Sequence, residues 1–143
     1  MMRTQVWEDQ LWRLTVSLSA EVPGFAYLEP KRHIPHITDL DGEEAATLGP
    51  VLARVCRILR EETTSELVYL YVFGDGIPHL HIHLAPHRTG DALNPQIIRG
   101  ELKSKRLDSG LTLFESKEFP PLPEEQLRAV ANRIRARLAE DAR

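Results

Sequence analysis

Three histidines alternate with three aliphatic residues in the middle of this chain, and no other segment constrains the fold as strongly. The histidines are His79, His81 and His83, and the aliphatic residues between and after them are Leu80, Ile82 and Leu84. Successive side chains of a β-strand point to opposite faces of its sheet. The segment 79–85 is therefore predicted to be a strand with its aliphatic face buried against a core and its imidazoles lining a site.

The chemistry of imidazole allows four interpretations of this strand. Three imidazoles packed in a core would each need a partner for a polar nitrogen, which disfavours a purely structural role. A zinc site needs a third ligand in good geometry, and no CxxC or HExxH motif accompanies the histidines. A nucleotide-binding module without chemistry would use the imidazoles to hydrogen-bond phosphate. Nucleophilic catalysis is favoured, because a neutral imidazole can attack phosphorus directly.

Periodic apolar residues predict the elements around the histidine strand. A strand pair joined by the turn Pro23-Gly24 comes first, and a long helix that Gly49-Pro50 should kink or divide follows it. In chain order, the predicted elements are strands at 12–18 and 25–28, a helix from Asp39 or Asp41 to Leu59, a central strand at 67–73, the histidine strand, a short helix near 96–102, a strand at 111–114 and a helix from 123 to 138.

These elements fit a single domain of α+β class. We place the domain at residues 11–138 of the 143, with an extension at 1–10 and a tail at 139–143. The expected architecture is a mainly antiparallel sheet of about five strands, with the main helix on one face and a C-terminal helix. The formal net charge of -3 gives no general attraction for nucleic acid. The chain has no apolar run of membrane-spanning length and no signal-peptide pattern, so we expect no membrane partner and a cytoplasmic location.

The residues around the histidine strand resemble the histidine triad superfamily of nucleotide hydrolases and transferases. Residues 79–85 match the family's signature, in which histidines alternate with apolar residues. The segment from Pro23 to His33 is similar to the family's turn, second strand and Pro-Lys-x-His segment. After the triad, the residues Pro86, Gly90, Asp91 and Asn94 resemble the fragile histidine triad branch, which hydrolyses dinucleoside polyphosphates. The resemblance therefore implies a histidine triad-like domain.

The same resemblance implies an activity and a role for each histidine. The activity is cleavage at the α-phosphate of a nucleoside or dinucleoside polyphosphate, or of a related conjugate, through a nucleotidyl-histidine intermediate. His81 would be the nucleophile, His79 would orient it, and His83 would contact the phosphate oxygens that gain charge in the transition state. No cofactor and no metal are implied. The expected partners are the nucleotide substrate and a second copy of the chain in a homodimer.

Other candidate binding residues lie where the chain departs from the family pattern. Ser17 stands where an aspartate or asparagine commonly holds the ribose, and it can still donate one hydrogen bond. Gly76 replaces the usual serine or threonine before the triad, although backbone amides at Gly74 and Gly76 can bind phosphate. Arg88, just after the strand, could reach a distal phosphate. Phe25 replaces the histidine that usually follows the turn.

Overall fold

The computed structural model describes residues 2–141 of the chain, which fold into an α+β domain. A short 3₁₀ helix, Ile37–Asp39, precedes the long helix. In chain order, the strands and α-helices are β1 (Arg3–Glu8), β2 (Trp12–Ser17), β3 (Ala26–Pro30), α1 (Gly42–Thr63), β4 (Leu67–Tyr71), β5 (Ile82–His87), β6 (Leu93–Asn94), β7 (Ile98–Arg99), β8 (Glu101–Arg106), β9 (Thr112–Lys117) and α2 (Glu124–Asp141).

Five antiparallel strands form the main sheet in the order β1-β2-β3-β5-β4, which confirms the predicted sheet. The predicted hairpin is confirmed as the pair β2 and β3, in which Leu14 lies opposite Leu28. The ladder of β5 begins at Ile82, three residues after the predicted start. The alternation of side chains nevertheless holds along the whole segment, because Leu80, Ile82 and Leu84 are all buried.

Both α-helices cover the same face of this sheet. Leu14 and Leu28 of the sheet pack in one buried cluster with Ile58 of α1 and Ile134 of α2. This arrangement confirms the main helix on one face and the C-terminal helix. The opposite face of the sheet carries the odd-numbered residues of β3 and the histidines, and it is left open to build a site.

One strand of the main sheet lies in the segment that the sequence analysis assigned to an N-terminal extension. Residues 1–10 were expected to be an extension, whereas Arg3–Glu8 forms the edge strand β1 and pairs with β2. At the other end, α2 continues through Asp141 and so includes residues 139–141 of the expected tail. Residues 142 and 143 of that tail lie outside the described residues.

Two local predictions were wrong, and a third was wrong in one of its two alternatives. The segment 67–73 contains a strand, but β4 lies at the edge of the sheet and not at its centre. No helix forms near 96–102, because the side chain of Asn94 accepts hydrogen bonds from the backbone of Gln96 and Ile97 and holds a turn that leads into β7. The sequence predicted that Pro50 would kink helix α1 or divide it; the helix is not divided there, and Pro50 lies on its exposed side. On that side, water can satisfy the carbonyl that loses its amide partner.

The remaining segments agree more closely with the sequence. The strand expected at 111–114 is confirmed as part of β9, which pairs with β8 in an exposed two-stranded ribbon. Within residues 2–141, no helix combines the length and the apolar character needed to cross a bilayer.

Candidate active site

The open face of the sheet holds a cleft of about 380 Å³ that is lined by all three histidines of the triad. We call it the histidine cleft. Its walls come from β1, β3, the loop that follows β4, and the histidine segment. The lining residues are Arg3, Tyr27, Val72, Phe73, Gly74, Asp75, Ile77, His79, Leu80, His81 and His83.

His81 lines the cleft and lies beside a buried carboxylate. Its Nε2 atom is 3.0 Å from Oε2 of Glu29, whose side chain is only 6% exposed. The sheet explains this contact, since Leu28 pairs with Ile82 and the next residue of β3 falls opposite His81. His81 therefore faces the cleft with a carboxylate against its Nε2 atom.

His79 is held at the entrance to the histidine strand by a backbone contact. Its Nε2 atom donates a hydrogen bond of 3.0 Å to the carbonyl of Pro30, the last residue of β3. Because a carbonyl only accepts, Nε2 carries a proton. The ring of His79 meets the ring of His81 edge to face, with 5.4 Å between the ring centres. His79 thus fixes one side of the space that His81 occupies.

His83 is enclosed by aromatic rings. It stacks on Tyr71 with ring centres 4.5 Å apart and meets the edge of Tyr27 at 5.2 Å. Its Nδ1 atom donates a hydrogen bond of 3.3 Å to the carbonyl of Tyr71, so a neutral ring carries its lone pair on Nε2. Burial lowers the pKa of His83 below its ordinary value, an effect only partly opposed by that hydrogen bond. A neutral His83 is therefore favoured in the free protein.

Two arginines approach the same carboxylate from the neighbouring strands. Nε of Arg13 lies 3.4 Å from Oε1 of Glu29, and a guanidinium nitrogen of Arg3 lies 3.8 Å from the same oxygen. Arg3 also lies over the ring of Tyr27 and lines the cleft. The positive charges of these arginines compensate the charge of the buried carboxylate.

Of the residues proposed from sequence, the structure brings only some to the cleft. His79, His81, His83 and Gly74 line it. Gly76 belongs to the same loop but is not part of the lining. Ser17 is buried, and its hydroxyl accepts a hydrogen bond from the backbone of Ser19.

Arg88 does not reach the cleft. Its backbone amide is bound by Asp91, which also pairs with His87, and its side chain is exposed beyond the end of β5. Phe25 lies behind His83, with ring centres 6.4 Å apart, where it adds apolar surface to the enclosure of His83.

Arg3, Arg13, Tyr27, Glu29 and Tyr71 are site residues that the sequence did not reveal. Tyr27 and Glu29 alternate along β3, and Phe25 continues the same spacing just before it, so a shared face was readable in principle. That this face meets the histidines depends on the pairing of β3 with β5, which no local pattern gives.

Metal binding was one of the interpretations left open. Within residues 2–141, no group of three or more His, Cys, Asp or Glu side chains is arranged to hold a metal ion. The histidines instead contact a carboxylate, a carbonyl and aromatic rings.

The family model of the HIT domain, the histidine triad domain, matches residues 2–90. The chain belongs to the HIT domain family. The matched segment starts ahead of β1 and ends just after β5, so it includes every strand of the main sheet. The predicted relationship to the histidine triad superfamily is thereby confirmed.

Curated relatives of this HIT domain include dinucleoside polyphosphate hydrolases. A bis(5'-adenosyl)-triphosphatase of Dictyostelium discoideum is 28% identical over 117 residues, which cover 77% of this chain and 78% of the relative. The nitrilase and fragile histidine triad fusion protein of Caenorhabditis elegans is 33% identical over 81 residues, which cover 53% of this chain and 18% of the fusion protein. These relatives confirm similarity to the fragile histidine triad branch.

Solved structures confirm the HIT fold. A histidine triad protein of Bradyrhizobium japonicum superposes with a TM-score of 0.69 at 23% identity, covering 94% of this chain and 89% of that one. A hypothetical histidine triad nucleotide-binding protein of Sulfolobus tokodaii superposes with a TM-score of 0.68 at 19% identity, covering 98% and 86%.

Proposed function

We propose that this HIT domain is a nucleotide hydrolase or nucleotidyl transferase that cleaves at the α-phosphate of a nucleoside or dinucleoside polyphosphate, or of a related nucleotide conjugate. The observation that carries this proposal is the convergence of the three triad histidines on one cleft. The bis(5'-adenosyl)-triphosphatase that covers most of the chain supports the substrate class.

In this proposal, His81 is the nucleophile. Its nitrogen forms a bond to the α-phosphorus as the bond to the leaving group breaks, which gives a nucleotidyl-histidine. Water then attacks the same phosphorus, the nitrogen departs, and the nucleoside monophosphate is released. The edge-to-face contact with His79 supports an orienting role for that residue.

His83 has the second role, at the phosphate oxygens. With Nδ1 bound to the carbonyl of Tyr71, His83 can donate to a phosphate oxygen only when Nε2 also carries a proton. A bound phosphate supplies the negative charge that favours this second proton. The charge of His83 thus follows the presence of substrate, which suits a group that stabilises developing charge.

The remaining contacts of the substrate would come from the walls of the cleft. The backbone of Gly74 offers an amide to the phosphates. Phe73, which is 71% exposed, offers a flat apolar surface to the nucleoside. Ser17 and Arg88 do not line the cleft. The contact of Ser17 with ribose and that of Arg88 with a distal phosphate stay predictions from the sequence.

The test is monophosphate release from a panel of adenylyl and guanylyl substrates, with His81→Ala compared with His36→Ala. His36 is exposed and lies outside the cleft, so it controls for the loss of a histidine as such. We expect His81→Ala to lose activity by several orders of magnitude while still binding nucleotide. Intact mass spectrometry after brief mixing of the protein with a nucleotide substrate should show an adduct the size of a nucleoside monophosphate group. The adduct should be absent from His81→Ala. Undiminished hydrolysis by His81→Ala would refute the mechanism.

A binding module without chemistry remains the second candidate, and the same variants separate the two. Recognition alone predicts that His79→Ala, His81→Ala and His83→Ala each weaken nucleotide affinity by a similar amount, about 1 to 3 kcal/mol for a lost hydrogen bond. Catalysis predicts that the His81 variant stands apart in turnover and not in affinity.

We also propose a cytoplasmic homodimer. The edge strand β4 supports the dimer, because Leu67, Leu70 and the following Phe73 expose apolar side chains beside an unpaired backbone edge. The free thiol of Cys56 supports a reducing compartment.

A further inference from the structure

The carboxylate of Glu29 stands where the chemistry of the cleft calls for a substrate anion. Its Oε2 atom is 3.0 Å from Nε2 of His81 and 3.6 Å from Nε2 of His79. A phosphate that approached His81 would bring negative charge against a buried negative charge. Like charges at such distances repel strongly in a partly desolvated site. Glu29 and a phosphate cannot both remain beside His81 at low cost.

Arg13 provides a second position for this carboxylate. Its Nε atom is buried and, among the described residues, is the one buried side-chain nitrogen or oxygen with no hydrogen-bond partner. Oε1 of Glu29 lies only 3.4 Å away, within ion-pair range. A buried donor without a partner is unfavourable, so a small movement of Glu29 toward Arg13 has a favourable contact to gain. Arg3, at 3.8 Å, lies on the same side and adds to the attraction.

We propose that Glu29 is an internal competitor for the phosphate site: it occupies His81 in the free protein, and an incoming phosphate displaces it onto Arg13. The proposal rests on the proposed function for the identity of the phosphate as part of a substrate. The competition itself requires only that phosphate binds at His81. Glu29 thereby sets how much negative charge a ligand must bring in order to bind.

The first experiment measures binding of inorganic phosphate and of adenosine 5'-monophosphate to the wild type and to Glu29→Gln by calorimetry. Glutamine keeps the shape of the side chain and removes its charge. We expect both ligands to bind about tenfold more tightly to Glu29→Gln, which corresponds to one like-charge contact removed. Unchanged binding would show that Glu29 does not compete with phosphate, and weaker binding that it supports the phosphate site; either result would overturn the proposal.

The second experiment tests Arg13 as the receiving group through a double-mutant cycle. In the wild-type background, Arg13→Met should weaken phosphate binding, because the displaced carboxylate has lost its partner. In the Glu29→Gln background the same change should have little effect. An equal loss in both backgrounds would mean that Arg13 contacts phosphate directly, which contradicts the proposed movement. Thermal denaturation identifies an unfolded variant, and Arg13→Gln, which also removes the positive charge, then takes the place of Arg13→Met.

A spectroscopic readout separates this movement from a purely structural role of Glu29. The ¹³C signal of the Glu29 carboxylate, assigned by its absence in Glu29→Gln, should shift when phosphate is added to the wild type. No shift at saturating phosphate would overturn the displacement. A different result would contradict the proposed function alone. The wild type would hydrolyse none of the nucleotide panel, while Glu29→Gln would still bind phosphate more tightly than the wild type.

Discussion

Gly24, in the turn before β3, is the position at which a single methyl group should be most informative. The turn leads directly into the strand that carries Tyr27, which lines the histidine cleft, and Glu29, which contacts His81. Gly24 has a φ of +77°, and a Cβ atom placed there would lie 2.6 Å from Cγ2 of Thr63. Gly24→Ala therefore combines backbone strain with a steric clash.

Thr63 has little freedom to move away from that methyl group. Its hydroxyl donates a hydrogen bond of 2.7 Å to the carbonyl of Leu59 and also contacts the hydroxyl of Ser65, and these contacts fix the direction of Cγ2. The left-handed backbone costs an alanine about 1 to 2 kcal/mol, and overpacking costs about 1 to 3 kcal/mol. We expect Gly24→Ala to lower the free energy of unfolding by about 2 to 5 kcal/mol.

Urea denaturation of four variants checks this reasoning. Thr63→Ser removes the methyl group that clashes but keeps the hydroxyl. The double variant Gly24→Ala with Thr63→Ser should therefore regain the free energy of unfolding lost to the clash, but not the part lost to backbone strain. Gly49→Ala is the matched control, because a Cβ at that helical glycine meets no atom within 4 Å. It should leave stability unchanged or raise it by up to about 1 kcal/mol. A loss below about 1 kcal/mol for Gly24→Ala, or no recovery with Thr63→Ser, would refute the argument.

Two further predictions concern the pH dependence of stability and the edge of the sheet. Burial lowers the pKa of folded His83 below its ordinary 6.5, so the unfolded chain takes up this proton at higher pH than the folded protein does. The stability contribution of a neutral His83 is complete above about pH 6.5 and is lost as the pH falls through the folded pKa. The urea midpoint should therefore fall less steeply with acidification in His83→Phe than in the wild type. Equal dependence of the midpoint on pH in the two proteins would contradict this prediction. Leu70, which is 48% exposed on β4, should lie in the proposed dimer contact. Leu70→Lys should give a native mass near the 16.3 kDa of one chain, whereas Lys105→Glu on the exposed ribbon should remain dimeric.

The strands with regular alternation were predictable, and the strand without it was not. The alternation of β2 and of the histidine segment has period two over its whole length, and this pattern fixes which side chains share a face. In β1, the register with β2 shifts between Gln5 and Trp7. An irregularity of this kind breaks the period, which is why Arg3–Glu8 had no clear strand signal.

The neighbours of a strand were harder to predict than the strand itself. The apolar composition of 67–73 suggested a central position, but composition does not distinguish an edge that pairs with a second molecule from an interior strand. The contact between Glu29 and His81 has the same origin. It depends on the register that places Leu28 opposite Ile82, and a shift by one residue would turn Glu29 to the helix-covered face.

The register of β5 with β4 links the chemistry of the cleft to the edge of the sheet. His83 lies opposite Tyr71, and its Nδ1–H donates a hydrogen bond to the carbonyl of Tyr71. In a neutral His83, Nε2 is therefore a hydrogen-bond acceptor. The same ring of Tyr71 buries His83, and Phe73 contacts it from the next position on that face. The strand that supports the proposed dimer therefore also sets the tautomer and the burial of a triad histidine. A partner that restrained β4 would hold both in place, so the proposed assembly and the proposed chemistry depend on one strand.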